Sequence, residues 1–396
     1  MRDLRPILFA ASALSLAACY DSAGDTAAPD ASANAVPAAA TVPAAPTITA
    51  SSNPEGQAID KAEFVEGADG KVNPASRTAA STMSAADKSM SVNGQAPVDD
   101  SPAARQRRVL IKAQVLLDRA HFGPGVIDGK SGENFRQAVA AYEKANGMSV
   151  DGKLDAQVWQ SLARDAQPIM TDYVITEADV RGPFLDRMPP SGDYKAMAKL
   201  ERFSYTSPLE ALAETFHMDQ DLLKALNPDA DFSKAGTKIL VTAPMATPLP
   251  QVERIEVDKA EKELRAYDAS GQLVALYPAT VGSSDMPTPT GEWEVLSVHD
   301  DPVWNYDPAK LNFGDKKAGK LTIPAGPNNP VGVVWIDLSK DTYGIHGTAE
   351  PATIGKTASH GCVRLTNWDA KTLGAAVRKG VKVVFVGPGD PDQNKA

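Results

Sequence analysis

From Arg254 to Val386 the sequence runs in short apolar stretches closed by glycine or proline, and only one stretch has helical spacing. Such a pattern buries its apolar side chains as strands. Arg254–Val257 alternates, with Ile255 and Val257 on one face. Glu263–Tyr267 continues similarly, Asp268-Ala269-Ser270-Gly271 supplies a turn, and Leu273–Val281 is a further apolar run. MPTPTGEWEV, VGVVWIDL and YGIHGT follow, separated by loops. The spacing predicts a mainly β domain over 252–386, sandwich or barrel-like. One helix is predicted over Trp368–Val377, capped by Asn367 and ended by Gly380, before a last strand at Val381–Val386. The tail 387–396 is polar and reads as loose.

The N-terminal part follows another logic. Residues 20–104 are dominated by Ala, Pro, Ser, Thr and Asp, with almost no aromatics and no lasting periodicity. They offer too little apolar surface to offset their ordering entropy, so 19–104 is expected to be a disordered tether. Its r.m.s. span as a flexible chain is roughly 50 Å. Ahead of it, Arg2 and Arg5 precede an apolar run, Ile7–Leu16, which is short for a bilayer and suits a signal-peptide core. Leu16-Ala17-Ala18-Cys19 resembles the lipobox of bacterial lipoproteins. That resemblance implies cleavage after residue 18, a lipid on Cys19, and a periplasmic protein anchored to a membrane, the outer one favoured. No later run of about 18 apolar residues follows. The formal net charge of −10 argues against nucleic acid as a partner.

Between tether and strands lie two segments with helical periodicity. Val109, Ala113, Leu116 and Ala120 form one stripe; Phe135, Ala138, Val139 and Tyr142 a second; Val158, Trp159 and Leu162 a third. The turn Asp128-Gly129-Lys130 recurs as Asp151-Gly152-Lys153. Three short helices with such turns over 105–165 resemble the peptidoglycan-binding domain of wall enzymes, with Glu143 where that family often has glutamine. In 200–247, Leu209, Leu212, Ala213 and Phe216 precede a helix capped by Asp219 and a strand at Lys238–Thr242. This order resembles a diverged LysM-type α+β module, which implies binding of aminosugar polymers; a plain spacer is the alternative. His121 and His217 beside these helices are read as packing residues. Residues 166–199 give no clear pattern.

The stretch YGIHGTAEPATIGKTASHGCVRL holds His346, His360, Cys362 and Arg364. With Cys19 lipidated, Cys362 is the only remaining cysteine. A lone thiol near two imidazoles suggests a nucleophile. If the backbone is extended there, positions 360, 362 and 364 project to one side. His346 is assigned as the general base, His360 as a supporting group, and the backbone N–H groups around Gly361 and Cys362 as oxyanion donors. Arg364 is a candidate for pairing with a substrate carboxylate, a structural ion pair being the alternative. Ser359 and Tyr343 are further candidates, as supporting and substrate-binding residues.

Residues 252–386 resemble the catalytic domain of the L,D-transpeptidases of the YkuD type. The motifs are Pro287-Thr288-Pro289-Thr290-Gly291, Pro324–Pro330, Tyr343–Thr348, Ile354-Gly355 and Ser359–Arg364. The resemblance implies a multidomain wall enzyme that cross-links peptidoglycan stem peptides through a cysteine thioester, without a cofactor, and that is sensitive to carbapenems. It leaves the acceptor open: a second stem peptide, a lipoprotein lysine, or water. A zinc site at His346, His360 and Cys362 fits no common ligand spacing, and a cysteine protease lacks its Asn or Asp partner motif. A lipid-tethered, non-catalytic wall-binding protein is the alternative from another class.

Overall fold

A computed structural model describes residues 48–66, 72–74, 98–244, 247–283, 285–311 and 313–387. The signal segment, Cys19 and residues 388–396 of the tail lie outside them. All described residues belong to one compact unit. None of their helices is long and apolar enough to cross a membrane.

The first folded element is helix α1 (Pro54–Asp60), followed by a strand pair, β1 (Phe64–Glu66) and β2 (Val72–Pro74). The tether expected over 19–104 is therefore wrong for residues 48–66, 72–74 and 98–104, and its remainder lies outside the described residues. Composition misled because the anchors are few and polar. Ile59 is fully buried, and Arg108 holds Glu55 through two bonds of 2.9 and 2.7 Å. Lys112 donates to the carbonyls of Asp60 and Ala62. The Asp60 carboxylate accepts the backbone amides of Ile169 and Met170.

Helices α2 (Pro102–Arg119), α3 (Glu133–Ala145) and α4 (Ala156–Leu162) carry the three predicted stripes. The repeated Asp-Gly-Lys turns have one physical cause. Gly129 and Gly152 both sit at φ +69°, which glycine tolerates best. Each turn is clamped by a side chain from the preceding helix. Gln114 Oε1 accepts the amides of Asp128 and Gly129, and Glu143 Oε2 those of Asp151 and Gly152. Glu143 is 1% exposed, so the glutamate at this position serves the turn.

Strand β3 (Met170–Val174) then leads through short helices α5 (Glu177–Arg181) and α6 (Tyr194–Met197) to α7 (Pro208–Thr215), α8 (Gln220–Leu226) and β4 (Lys238–Thr242). β3 and β4 pair antiparallel, Asp172 opposite Leu240. The strand expected at Lys238–Thr242 thus pairs with one from the segment 166–199, which gave no readable pattern. Asp219 caps α8 as expected. Leu212, Leu222 and Leu223 share one core with Ile111, Leu117 and Trp159 of the preceding helices and with Leu273 and Leu276 of the catalytic sheet.

The C-terminal domain is one eight-stranded sheet. Its strands are β5 (Arg254–Asp258), β6 (Glu263–Tyr267), β7 (Leu273–Pro278), β8 (Gly291–Asp300), β11 (Val334–Leu338), β12 (Gly344–His346), β13 (Val363–Arg364) and β14 (Lys382–Val386). A hairpin of β9 (Trp304–Tyr306) and β10 (Leu321–Ile323) stands apart from it. The sheet order is β13-β12-β11-β8-β14-β5-β6-β7. The two ends meet where Thr280, just past β7, bridges Arg364 of β13. Of the two architectures expected, the closed, barrel-like one is found. Helix α9 (Asn367–Ala376) packs on β11, burying Ala370 and Leu373 with Val334 and Ile336.

Thr366, not Asn367, caps α9, its hydroxyl accepting from the amide of Asp369. Asn367 instead turns inward. It accepts from the Val333 amide and donates to Glu214 of α7 at 2.9 Å, so two modules meet at its side chain.

Candidate active site

β12 and β13 run parallel, with His346 opposite Arg364 and Ile345 opposite Val363. Cys362 immediately precedes β13. This pairing brings together residues sixteen positions apart in sequence. Cys362, His346, His360, Arg364, Ser359 and Tyr343 all line one cavity of about 380 Å³. Positions 360, 362 and 364 all line this cavity, although 360–362 form a bend rather than the extended backbone assumed from the sequence.

His346 is 3% exposed. Its Nδ1 lies 2.7 Å from the Gly347 carbonyl oxygen, and its ring stacks on Trp335 at 5.5 Å. A carbonyl can only accept, so Nδ1 carries the proton and Nε2 is left as the basic nitrogen. Burial, with the Arg364 charge adding to it, pushes His346 down to about 3. The Cys362 thiol is pushed up by burial, against the opposing effects of the Gly344 amide and Arg364. Both shifts favour the neutral forms, a thiol and an imidazole. The thiol bonds the Thr342 carbonyl at 3.6 Å rather than His346.

The turn that carries Cys362 is braced by two side chains. Ser359 Oγ donates to the Cys362 carbonyl at 2.6 Å and accepts from the Gly361 amide at 3.0 Å. Thr288 donates to the Gly361 carbonyl at 2.7 Å and accepts from the Gly282 amide. Gly361 sits at φ +121°, and a Cβ there would lie 3.0 Å from the Tyr343 ring. Position 361 thus requires glycine for backbone and space. Its amide, however, is engaged by Ser359 and is not the open oxyanion donor that sequence reasoning assigned. Ser359 supports the site by shaping this turn.

His360 is exposed and packs its ring against Phe313 at 4.3 Å. The Arg364 guanidinium makes no ion pair among the described residues; Glu350, Cys362 and Tyr194 are its electrostatic neighbours. Its expected alternative, a structural ion pair, is absent from these residues. His121 and His217 lie outside the cavity. His217 stacks on Trp368 at 4.7 Å and bonds Asp118 at 2.9 Å.

Sequence reasoning missed the aromatic wall of Trp304, Phe313, Trp335 and Tyr194. No motif marks these positions. Only their aromaticity was available as a signal.

A thiol, a buried imidazole in a fixed tautomer and a guanidinium with no ion pair among the described residues define a thiol–imidazole site of the acyl-transfer type. The L,D-transpeptidase catalytic domain pattern, YkuD, matches residues 252–386, and that described as "Putative peptidoglycan binding domain" matches 109–162. The Bacillus licheniformis protein named "Putative L,D-transpeptidase YkuD" is 32% identical over 177 residues, 44% of this chain and 91% of that protein. The chain belongs to the L,D-transpeptidase family. Escherichia coli K12 "Probable L,D-transpeptidase YbiS" is 32% identical over 188 residues, 46% of this chain but only 60% of YbiS. Among solved structures, an L,D-transpeptidase from Xylanimonas cellulosilytica aligns over 70% of this chain and 92% of its own at 16% identity, with a TM-score of 0.31, too loose to bear on the fold.

Proposed function

We propose that this protein is a peptidoglycan L,D-transpeptidase that forms 3→3 cross-links through a thioester on Cys362. The observation that carries this reading is the convergence of Cys362, His346 with a basic Nε2, and an unpaired Arg364 in one cleft. Cys362 attacks the amide between the third, diamino residue and the fourth, D-Ala, of a donor tetrapeptide. The thiol proton passes to His346 Nε2, a C–S bond forms, and the C–N bond breaks as His346 returns the proton to the departing D-Ala. The side-chain amine of a neighbouring stem then attacks the thioester, its proton leaves through His346, and the thiol is regenerated. With the Gly361 amide engaged, the Cys362 amide is the remaining candidate for the oxyanion. A lipoprotein lysine as acceptor gives wall attachment by the same steps, and water gives carboxypeptidation.

The matched 109–162 domain supports a peptidoglycan-binding role beside the catalytic one. The strand–helix–helix–strand order of β3, α7, α8 and β4 supports a LysM-like module with aminosugar polymers as its ligand. The lipobox supports a periplasmic enzyme held to a membrane by lipid on Cys19, the outer membrane favoured. Incubation of the protein with disaccharide-tetrapeptide, read by mass, tests the activity. A dimer lacking one D-Ala is expected. Tripeptide alone would mean carboxypeptidation, and unchanged tetrapeptide would overturn the proposal.

A further inference from the structure

Residues 183–206 lie outside both matched domains, yet Ser191, Gly192, Tyr194 and Met197 form part of the wall of the Cys362 cavity. This strap is fixed. Phe203 and Met197 are buried with Tyr306 and Ile323 in a core of their own. The Phe203 amide donates to Ala325 O at 2.8 Å, and the Asn328 amide donates to Phe203 O at 3.0 Å. Arg202 holds Asp301 through two bonds of 2.7 and 3.0 Å. The cover over the nucleophile is thus composite: the β9–β10 hairpin supplies one part and the segment linking the N-terminal modules to the catalytic sheet supplies the other.

Tyr194 is the polar member of this strap. Its half-buried ring stacks on Tyr306 at 4.2 Å and meets Trp304 edge-on at 5.4 Å, which sets its direction. Its phenol lies within electrostatic reach of Arg364. A half-buried guanidinium with no ion-pair partner among the described residues favours an anion beside it. A phenol in the same cleft adds a neutral donor that can bond that anion without competing for it.

We propose that Tyr194 is a substrate-binding residue whose hydroxyl donates to the same donor-peptide carboxylate that pairs with Arg364. The inference rests on the stem-peptide reading above. It makes the linker part of the specificity apparatus, so that recognition of the donor depends on how the N-terminal modules dock.

The test is steady-state D-Ala release from disaccharide-tetrapeptide by wild type and Tyr194→Phe, with two further substrates amidated at the diamino-acid carboxylate or at the terminal D-Ala carboxylate. The Phe variant keeps the ring contacts, and its melting temperature should match wild type. KM for the parent substrate should rise about tenfold with kcat within about twofold, the scale of one hydrogen bond to a charged group. The rise should vanish for one of the two amidated substrates, identifying the carboxylate. An unchanged KM for the parent, or an equal rise on all three substrates, would overturn the inference. Wild type that releases no D-Ala would instead overturn the stem-peptide reading.

Discussion

At the scale of single residues, the site holds a thiol and an imidazole where charge on either is disfavoured. Burial raises the cost of charge on both sulfur and imidazole, and the Arg364 charge disfavours the imidazolium further. The bond from the thiol to Thr342 O holds the proton on sulfur. This arrangement has a measurable consequence. Alkylation of the free enzyme by iodoacetamide should be slow at pH 7 and accelerate about tenfold per pH unit up to pH 9, without a plateau. A preformed ion pair would give a rate that is high and flat across that range. Arg364 and His346 were legible in the sequence because the strand and the motif lie close together in the chain. The disfavoured charge was not, because it arises from burial in the folded domain, which the motif does not encode.

At the scale of elements, the paired turns of the N-terminal domain show how a repeat hides a difference. Gln114 accepts two turn amides and returns its own N–H to Asp128 Oδ1 at 2.8 Å. Glu143 accepts the corresponding amides but has no N–H to return to Asp151. Burial pushes the Glu143 carboxyl above its ordinary range, and the charges of Asp151 and Asp155 add to it. A raised folded pKa means that stability is lost as pH rises through it. Glu143→Gln should therefore stabilise the protein at pH 7.5, on the order of 1 kcal/mol, and make little difference at pH 4, where Glu143 is protonated. Thermal melts at the two pH values check this. The elements themselves were readable where periodicity was strong: Ile255 and Val257 are fully buried as their alternation required. Helix α1 was not, because its contacts are polar bonds to residues 50 to 110 positions away.

At the scale of the whole molecule, the modules meet over a buried polar junction. Asp118 and His121 come from the end of α2, His217 from the end of α7, Tyr277 from β7, and Trp368 and Asp369 from α9. Tyr277 Oη and Asp369 Oδ2 are buried without a hydrogen-bond partner. Burial raises Asp369 to about 7, with the nearby Asp118 adding and Thr366 and His217 opposing. In the unfolded chain this carboxyl titrates near the ordinary value of about 4. The fold therefore binds the extra proton between those values, and Asp369's contribution falls as pH rises from 4 to 7. Asp369→Asn should raise the melting temperature at pH 8 and lose that advantage at pH 4; an equal shift at both would show the junction is not proton-linked. The sequence separated the modules by pattern and so read them as independent. The structure joins them, because the apolar face of α3 packs on β7 and Asn367 reaches Glu214 across the boundary.

The central claim is that Cys362 carries the donor peptide as a thioester. Intact-mass analysis of enzyme quenched during turnover of disaccharide-tetrapeptide reads this directly. The account predicts a single adduct equal to the substrate minus D-Ala, mapped to Cys362 and absent from Cys362→Ala. An adduct elsewhere, or D-Ala release persisting in Cys362→Ala, would contradict it.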